Sequence, residues 1–228
     1  ARTTFARLPA FGITSAGVVL QTDAEGPAGA AGSLESIALQ VLLDEVPFST
    51  YAILVGRSVD AAIALRATPL HDPPAGRRVG GFKIFSDGTF GSCTACMHEP
   101  FSDRPGERGF LTLDEDEIFA RMRAAHAAAF QICVHAIGDR AVERCIDLYE
   151  RLLAESPRRD HRHRIEHASI VAPEQIARLA RLGLCVSTQP LFIHSEKEWL
   201  HRRLGAALQG FGVGLGGDLL RRAVPVRL

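Results

Sequence analysis

Three residues stand where apolar strands would otherwise run unbroken. Lys83 lies in GFKIFSDG, between Phe82 and Ile84. Strand alternation turns its side chain away from both neighbours, toward the interior of the sheet that holds it. A buried ammonium without a partner is costly, and lysine is scarce here: only Lys83 and Lys197 occur. Two chemical resolutions stand level. Neutral lysine can add CO2 and become a carbamate that bridges two metal ions, or the ammonium can pair with an interior carboxylate such as Asp87 or Glu166. His135 closes the apolar run FQICVHA, and His167 closes HRIEHA. Neutral imidazole is the commonest protein ligand for zinc-like metals. A single strand-end histidine is ordinarily just hydrogen-bonded. Two on successive strands, preceded by an interior lysine, point to a metal centre.

Other candidate groups are weaker. Cys93-Thr-Ala-Cys96 is a lone CxxC, and Cys133, Cys145 and Cys185 supply no second pair for a structural zinc. Met97 separates Cys96 from His98, which excludes a CxxCH haem site. Cys93 and Cys96 have two readings, a redox pair or incidental loop cysteines, of which the second is preferred. His161 and His163 form an H-x-H triplet at the start of a strand, the wrong end for chemistry, and read as surface. Phe192 and Trp199 are expected to pack by the loop after Gln189-Pro190, which could line a substrate pocket. No GxSxG, HExxH or P-loop occurs.

The elements that must position these residues alternate along the chain. Strands are expected at residues 12–20, 48–55, 81–86, 130–136, 163–170, 184–188 and 223–228. Helices are expected at 34–44, with Leu34, Ile37, Val41 and Leu42 on one face, and at 59–66, 140–154, 174–182 and 196–204. Thr112 with Glu115 reads as a capping box opening a further helix that runs to Ala129, and Pro173 as a helix start. Residues 87–111, rich in Gly, Pro, Ser and Cys, read as a long loop, functional or mobile. Strand–helix alternation implies parallel pairing and an α/β fold. Seven strands in 228 residues is one short of a (β/α)8 barrel, which typically needs roughly 250 residues. A doubly wound open sheet is the competing reading, but no GxGxxG follows the first strand. The expectation is one partial barrel domain over residues 1–228. In such barrels the chemistry sits at the C-terminal ends of the strands, where His135 and His167 fall.

Composition narrows the partners. Hydrophobic residues are 46% and charged residues 23% of the chain, the balance of an ordinary globular protein. The formal net charge of zero favours neither nucleic acid nor an anionic membrane as partner. No apolar run approaches the roughly 20 residues of a membrane span. The N-terminus lacks the pattern of a secretory signal, and five cysteines without framework spacing suggest reduced thiols in the cytoplasm. The absence of an initial Met and the abrupt end on Val-Arg-Leu suggest a piece of a longer protein.

Five stretches together resemble amidohydrolase family 3, the branch that includes N-substituted formamide deformylases: GITS near residue 12, GFKIFSDGTFGS at 81–92, VHAIGDRAV at 134–142, HRIEHASI at 163–170 and STQPLFI at 187–193. They run in the family's order and cover nearly the whole chain. The resemblance implies a (β/α)8 barrel, here incomplete and running from strand 2 to strand 8, with one or two divalent metals, usually zinc. Its ligands are an H-x-H pair on strand 1, a carbamylated lysine on strand 4, histidines on strands 5 and 6, and an aspartate on strand 8. Lys83, His135 and His167 match the strand 4, 5 and 6 positions. The H-x-H pair belongs upstream of GITS. Asp218 in GLGGD resembles the strand 8 aspartate loosely, whereas a preferred alignment makes residues 223–228 strand 8 itself and Asp218 a helix residue.

The implied chemistry is attack of metal-activated water on an amide-like small molecule at a C–N bond, with the strand 8 aspartate as base. The expected alternative is a non-catalytic barrel remnant that binds metal weakly or serves as an interaction module. A flavodoxin-like binding domain would require an open strand order. Open barrel edges also invite self-association.

Overall fold

Residues 2–24, 26, 28–42, 46–189, 191–205 and 226–227 are described by the structure, a computed structural model. The chain divides into two compact units, Ala1–Ile84 with Arg123–Ile132, and Phe85–Met122 with Cys133–Leu228.

The first unit opens with helix α1 (Arg2–Arg7) and a 3-10 turn that Gly12 closes at φ +76°. Then come strand β1 (Ser15–Gln21), helix α2 (Glu35–Leu42), strand β2 (Ser49–Val55), helix α3 (Asp60–Leu65) and strand β3 (Arg77–Phe85). β1 and β2 pair in parallel from Ser15↔Ser49 to Gln21↔Val55. β2 and β3 also pair in parallel, with one irregularity at Ala52/Ile53. Parallel neighbours need a crossover, and α2 and α3 lie in the two connections. Leu20, Leu54, Val79, Phe82 and Ile84 are buried, as the near-continuous apolar runs of β2 and β3 require.

Two polar side chains organise this unit. Gln21 is buried; its amide donates to the carbonyls of Asp23 (2.6 Å) and Gly29 (2.8 Å) and accepts from the N–H of Ala28 (3.0 Å). It thereby folds the β1–α2 connection onto the strand end. Arg66 donates to the carbonyls of Val79 (3.2 Å), Ala128 (2.8 Å) and Ala129 (3.3 Å), with its guanidinium 3.7 Å over the Phe130 ring. That ties residues 123–132 to this unit. The apolar face that spacing gives α2 is the exposed one: Leu34, Ile37 and Val41 are exposed, and Ser36 and Leu39 are buried. The apolar spacing was real, but the helix turns its other side to the strands.

The second unit carries most of helix α4 (Glu115–Ala127), strand β4 (Gln131–Ala136) from Cys133 onward, helix α5 (Asp139–Glu155), strand β5 (Arg164–His167), helix α6 (Pro173–Leu182), strand β6 (Cys185–Ser187), helix α7 (Leu191–Leu204) and strand β7 (Val226–Arg227). The pairs β4·β5, β5·β6 and β6·β7 are parallel. Val142, Cys145, Ile146, Tyr149 and Leu152 give α5 its buried stripe at three- and four-residue spacing. α4 starts on Asp114, whose carboxylate accepts the Glu117 N–H at 2.7 Å. The expected Thr112 cap does not form, because that hydroxyl donates to the Phe85 carbonyl at 2.6 Å.

The long loop after β3 is not slack. Phe90, Cys93, Ala95, Met97 and Phe101 form an apolar cluster with Ile137, Ile170 and Leu204, and Trp199 packs on it. Arg203 clamps the loop through Asp103 (2.6 Å) and the carbonyl of Phe90.

The H-x-H triplet is also corrected: His161 and His163 are buried, not on the surface. Their rings stack at 4.7 Å, Tyr149 stacks on His163 at 5.8 Å, and His161 Nε2 meets the Leu182 carbonyl at 2.9 Å. Burial holds the His161 imidazolium below its ordinary range, against the pull of that carbonyl. The unfolded chain therefore binds this proton more readily than the folded one. The stability that neutral His161 contributes is complete above about pH 6.5 and is lost as pH falls through its folded value. Urea midpoints should drop between pH 7.5 and 5, with a shallower drop in His161→Asn; parallel curves for the two proteins would refute this.

Candidate functional site

β4 is buried along most of its length and ends in His135, itself buried. His135 Nε2 lies 2.9 Å from the Gly88 carbonyl and 3.5 Å from Asp87 Oδ1. A carbonyl only accepts, so Nε2 carries the proton and Nδ1 the lone pair that a metal would use. The backbone at His135 is fixed as well, since its carbonyl accepts the Ser86 N–H at 3.1 Å and the Ser86 hydroxyl.

Asp87 holds the turn that follows. Its Oδ2 accepts the N–H groups of Cys96 (2.9 Å) and Gly138 (2.9 Å), and its Oδ1 that of Ile137 (3.1 Å). Burial pushes this carboxyl up to about 6, against the three N–H groups that favour its charged form. Gly138 is required where it stands: an added Cβ would lie 2.0 Å from the Cys96 carbonyl oxygen. Asp139 repeats the device one step on, accepting the His98 N–H at 2.9 Å.

β5 ends in an unusual conformation. His167 has φ +73° and Ala168 φ +46°, left-handed values that cost a non-glycine residue on the order of 1–2 kcal/mol each. The Ala168 N–H then reaches the carbonyls of Ala136 (3.0 Å) and Glu166 (3.1 Å). Register pairs His135 with Glu166 and Ala136 with His167, so an untwisted strand would send the two imidazoles to opposite faces. Instead their ring centres are 4.5 Å apart. The Phe85 ring, 5.4 Å from His135, and the Phe192 ring, stacked 6.3 Å from His167, supply apolar neighbours. At the end of β6 the Thr188 hydroxyl is buried with no hydrogen-bond partner among the described residues.

Lys83 belongs to the first unit. It is buried in β3, level with Val55 of β2 and flanked by buried Phe82 and Ile84. In the second unit Glu166 is paired with Arg164 at 2.5 Å, and Asp87 holds the three backbone donors already described. Asp218 lies outside the described residues. Among the described residues no three His, Cys, Asp or Glu side chains gather as a metal-holding group. The two imidazoles fit a divalent ion of the zinc class on donor chemistry. Sequence reasoning missed the anchoring role of Asp87 and the buried Thr188. The available signal was a polar residue directly after the strand in each of FSDG and VSTQ.

Comparison with known proteins settles the family. A model described as the amidohydrolase family matches residues 1–215. The chain belongs to the amidohydrolase family. It is 35% identical over 127 residues to the putative amidohydrolase YtcJ of Bacillus subtilis (strain 168), covering 55% of this chain and 23% of that protein. An uncharacterized metal-dependent hydrolase from Pyrococcus horikoshii superposes with a TM-score of 0.74 at 24% identity, over 96% of this chain and 42% of the other. A second, from Pyrococcus furiosus, gives a TM-score of 0.69 at 29% identity, over 89% and 39%. The chain thus spans less than half the length of these relatives. Its fold class within the amidohydrolase family is α/β, with the strand–helix order of an incomplete (β/α)8 barrel, and the flavodoxin-like alternative is set aside.

Proposed function

We propose that the protein acts, within its full-length context, as a metal-dependent hydrolase on a non-peptide C–N bond of an amide-like small molecule. The observation that carries this is the His135–His167 pair, gathered at adjacent strand ends by a costly turn at His167. A bound divalent ion, zinc by preference of imidazole donors, would supply Lewis acidity and lower the pKa of water toward neutrality. The residues of this chain then have definite tasks. His135 offers Nδ1, its tautomer held by the Gly88 carbonyl, and Asp87 fixes the turn behind it. Phe85 and Phe192 give the imidazoles aromatic neighbours. Lys83 is proposed as a further ligand, as its carbamate, on the strength of the family resemblance and its burial. Asp218 is retained as a candidate base on the resemblance alone. The five buried cysteines, none of them in a disulfide, support a cytoplasmic setting, and no helix among the described residues is long and apolar enough to cross a membrane.

A second reading is favoured by the absence of a three-ligand group among the described residues: these 228 residues hold metal weakly and do not turn over substrate. Metal analysis after zinc loading and gel filtration, with a panel of N-substituted formamides and simple amides, tests both. Less than one zinc per chain and no turnover are expected. Stoichiometric zinc with turnover would overturn the weak-site reading, and no zinc above a His135→Ala background would overturn the hydrolase reading.

We also propose self-association through the first unit. Leu34, Ile37 and Val41 present an exposed apolar face on and beside α2, and Val19 of β1 is half exposed. Sedimentation velocity should show a concentration-dependent oligomer that Ile37→Lys/Val41→Glu disperses; a monomer at all concentrations would sink the idea.

A further inference from the structure

We infer that residues 160–163 form a proton-operated latch, which holds the turn before β5 in a strained form at neutral pH and releases it in acid. The latch is the buried His161 ring, and both of its nitrogens are committed. Nε2 lies 2.9 Å from the Leu182 carbonyl, which only accepts, so this nitrogen carries the proton. Nδ1 accepts the His163 N–H at 2.9 Å and must hold the lone pair. One neutral tautomer therefore satisfies both bonds. A second proton can enter only at Nδ1, where it would face the His163 N–H, donor against donor. Acid thus breaks one identified bond and leaves the Leu182 contact in place.

The turn has somewhere lower to go once that bond is lost. Asp160 at φ +52° and Arg162 at φ +51° flank His161 in the left-handed region, which non-glycine residues adopt only at a cost. Asp160 does grip Arg162 through bonds of 2.7 and 3.0 Å, but both side chains are exposed, and such a pair holds a turn weakly. Charged and titratable groups face the ring from every element around it. Arg158, Arg159, Asp160 and Arg162 belong to the turn itself, and Tyr149 of α5 stacks on His163 beyond it. Arg181 and the Leu182 carbonyl close α6, and Cys185 opens β6. Burial holds the His161 imidazolium below its ordinary range and Arg158 adds to that, against the pull of Leu182 and Asp160. The open latch therefore binds the proton more readily than the closed one. It stays closed above about pH 6.5 and opens as pH falls through the folded value. His161 lines a cleft of about 550 Å3, which gives water a route to the released turn. A histidine that merely stabilises the fold would be felt only in global unfolding. The latch instead opens locally, in protein that is otherwise native.

The test is amide hydrogen exchange of the full chain by 15N NMR at pH 7.0 and pH 5.0, each rate divided by the intrinsic rate at that pH. The His163 amide should lose protection at least tenfold in acid, while the buried Val134 and Ile146 amides of β4 and α5 keep theirs. A long-range 1H–15N spectrum of the same sample should show the His161 proton on Nε2 at pH 7.0. Both readings need only the wild type. In His161→Asn the side-chain oxygen takes the place of Nδ1 and does not titrate, so protection of the His163 amide should be the same at both pH values. Wild-type protection that does not change, an equal loss at Val134 and Ile146, a His161 proton on Nδ1 at pH 7.0, or an acid loss that persists in His161→Asn would each overturn the latch. None of these readings involves His135 or His167.

Discussion

Asp87→Ala destabilises the protein by about 3–6 kcal/mol, read as a fall in the urea midpoint with the m-value unchanged. The side chain of Asp87 is fully buried and receives the N–H groups of Cys96, Ile137 and Gly138. Removing it leaves three buried donors unanswered, at about 1–3 kcal/mol each. Three such losses sum to about 3–9 kcal/mol, and water entering the space would recover part of that, which brings the upper bound down to about 6. The loss is large against a typical total stability of about 5–15 kcal/mol. Asp87→Asn discriminates this account from simple cavity formation. Its one carbonyl oxygen can take the Oδ2 position and keep Cys96 and Gly138. Its amide group then faces the Ile137 N–H, donor against donor. Asn should therefore cost about one hydrogen bond, on the order of 1–3 kcal/mol, although it fills the same volume. Equal midpoints for the wild type and Ala would show that the three bonds carry no weight.

The second large effect concerns the imidazoles. His135→Ala and His167→Ala should each weaken zinc binding by 100-fold or more, since each removes one of the few strong donors at the site. They should differ in stability. His135→Ala loses a buried ring and its bond to Gly88, and should be destabilised. His167→Gly removes a ligand but also relieves a left-handed backbone at φ +73°, worth about 1 kcal/mol. Its midpoint should therefore lie above that of His167→Ala while zinc binding is equally lost. Similar zinc affinity in all variants, by competition with a chromophoric chelator, would place the metal elsewhere.

Much of the frame was legible in the residues. Among the described residues a strand overlaps each of the seven expected runs, and the two histidines that close FQICVHA and HRIEHA do meet. What sequence could not show is how they meet. Alternation alone sets His135 and His167 on opposite faces; the turn at His167 depends on the Ala168 N–H reaching Ala136, a contact between strands. The same limit explains the H-x-H triplet. Its place before a strand looked like surface, whereas a stacking partner, Tyr149, arrives from α5 to cover it. Residues 87–111 form the loop that their Gly and Pro content predicts, but that content does not show that the loop is packed. Phe90, Met97 and Phe101, which give it a core, were the better signal. For α2 the apolar spacing at 34, 37 and 41 was correctly seen, but spacing does not say which side of a helix finds a partner.

The most direct test of the metal centre is a long-range 1H–15N correlation spectrum of the histidine rings, recorded through a zinc titration. The account predicts that His135 keeps its proton on Nε2 throughout while its Nδ1 shifts to the metal-bound range, and that a His167 nitrogen shifts in step. Assignment comes from the two single variants. Shifts confined to other histidines, or a His135 that binds through Nε2 or not at all, would contradict it.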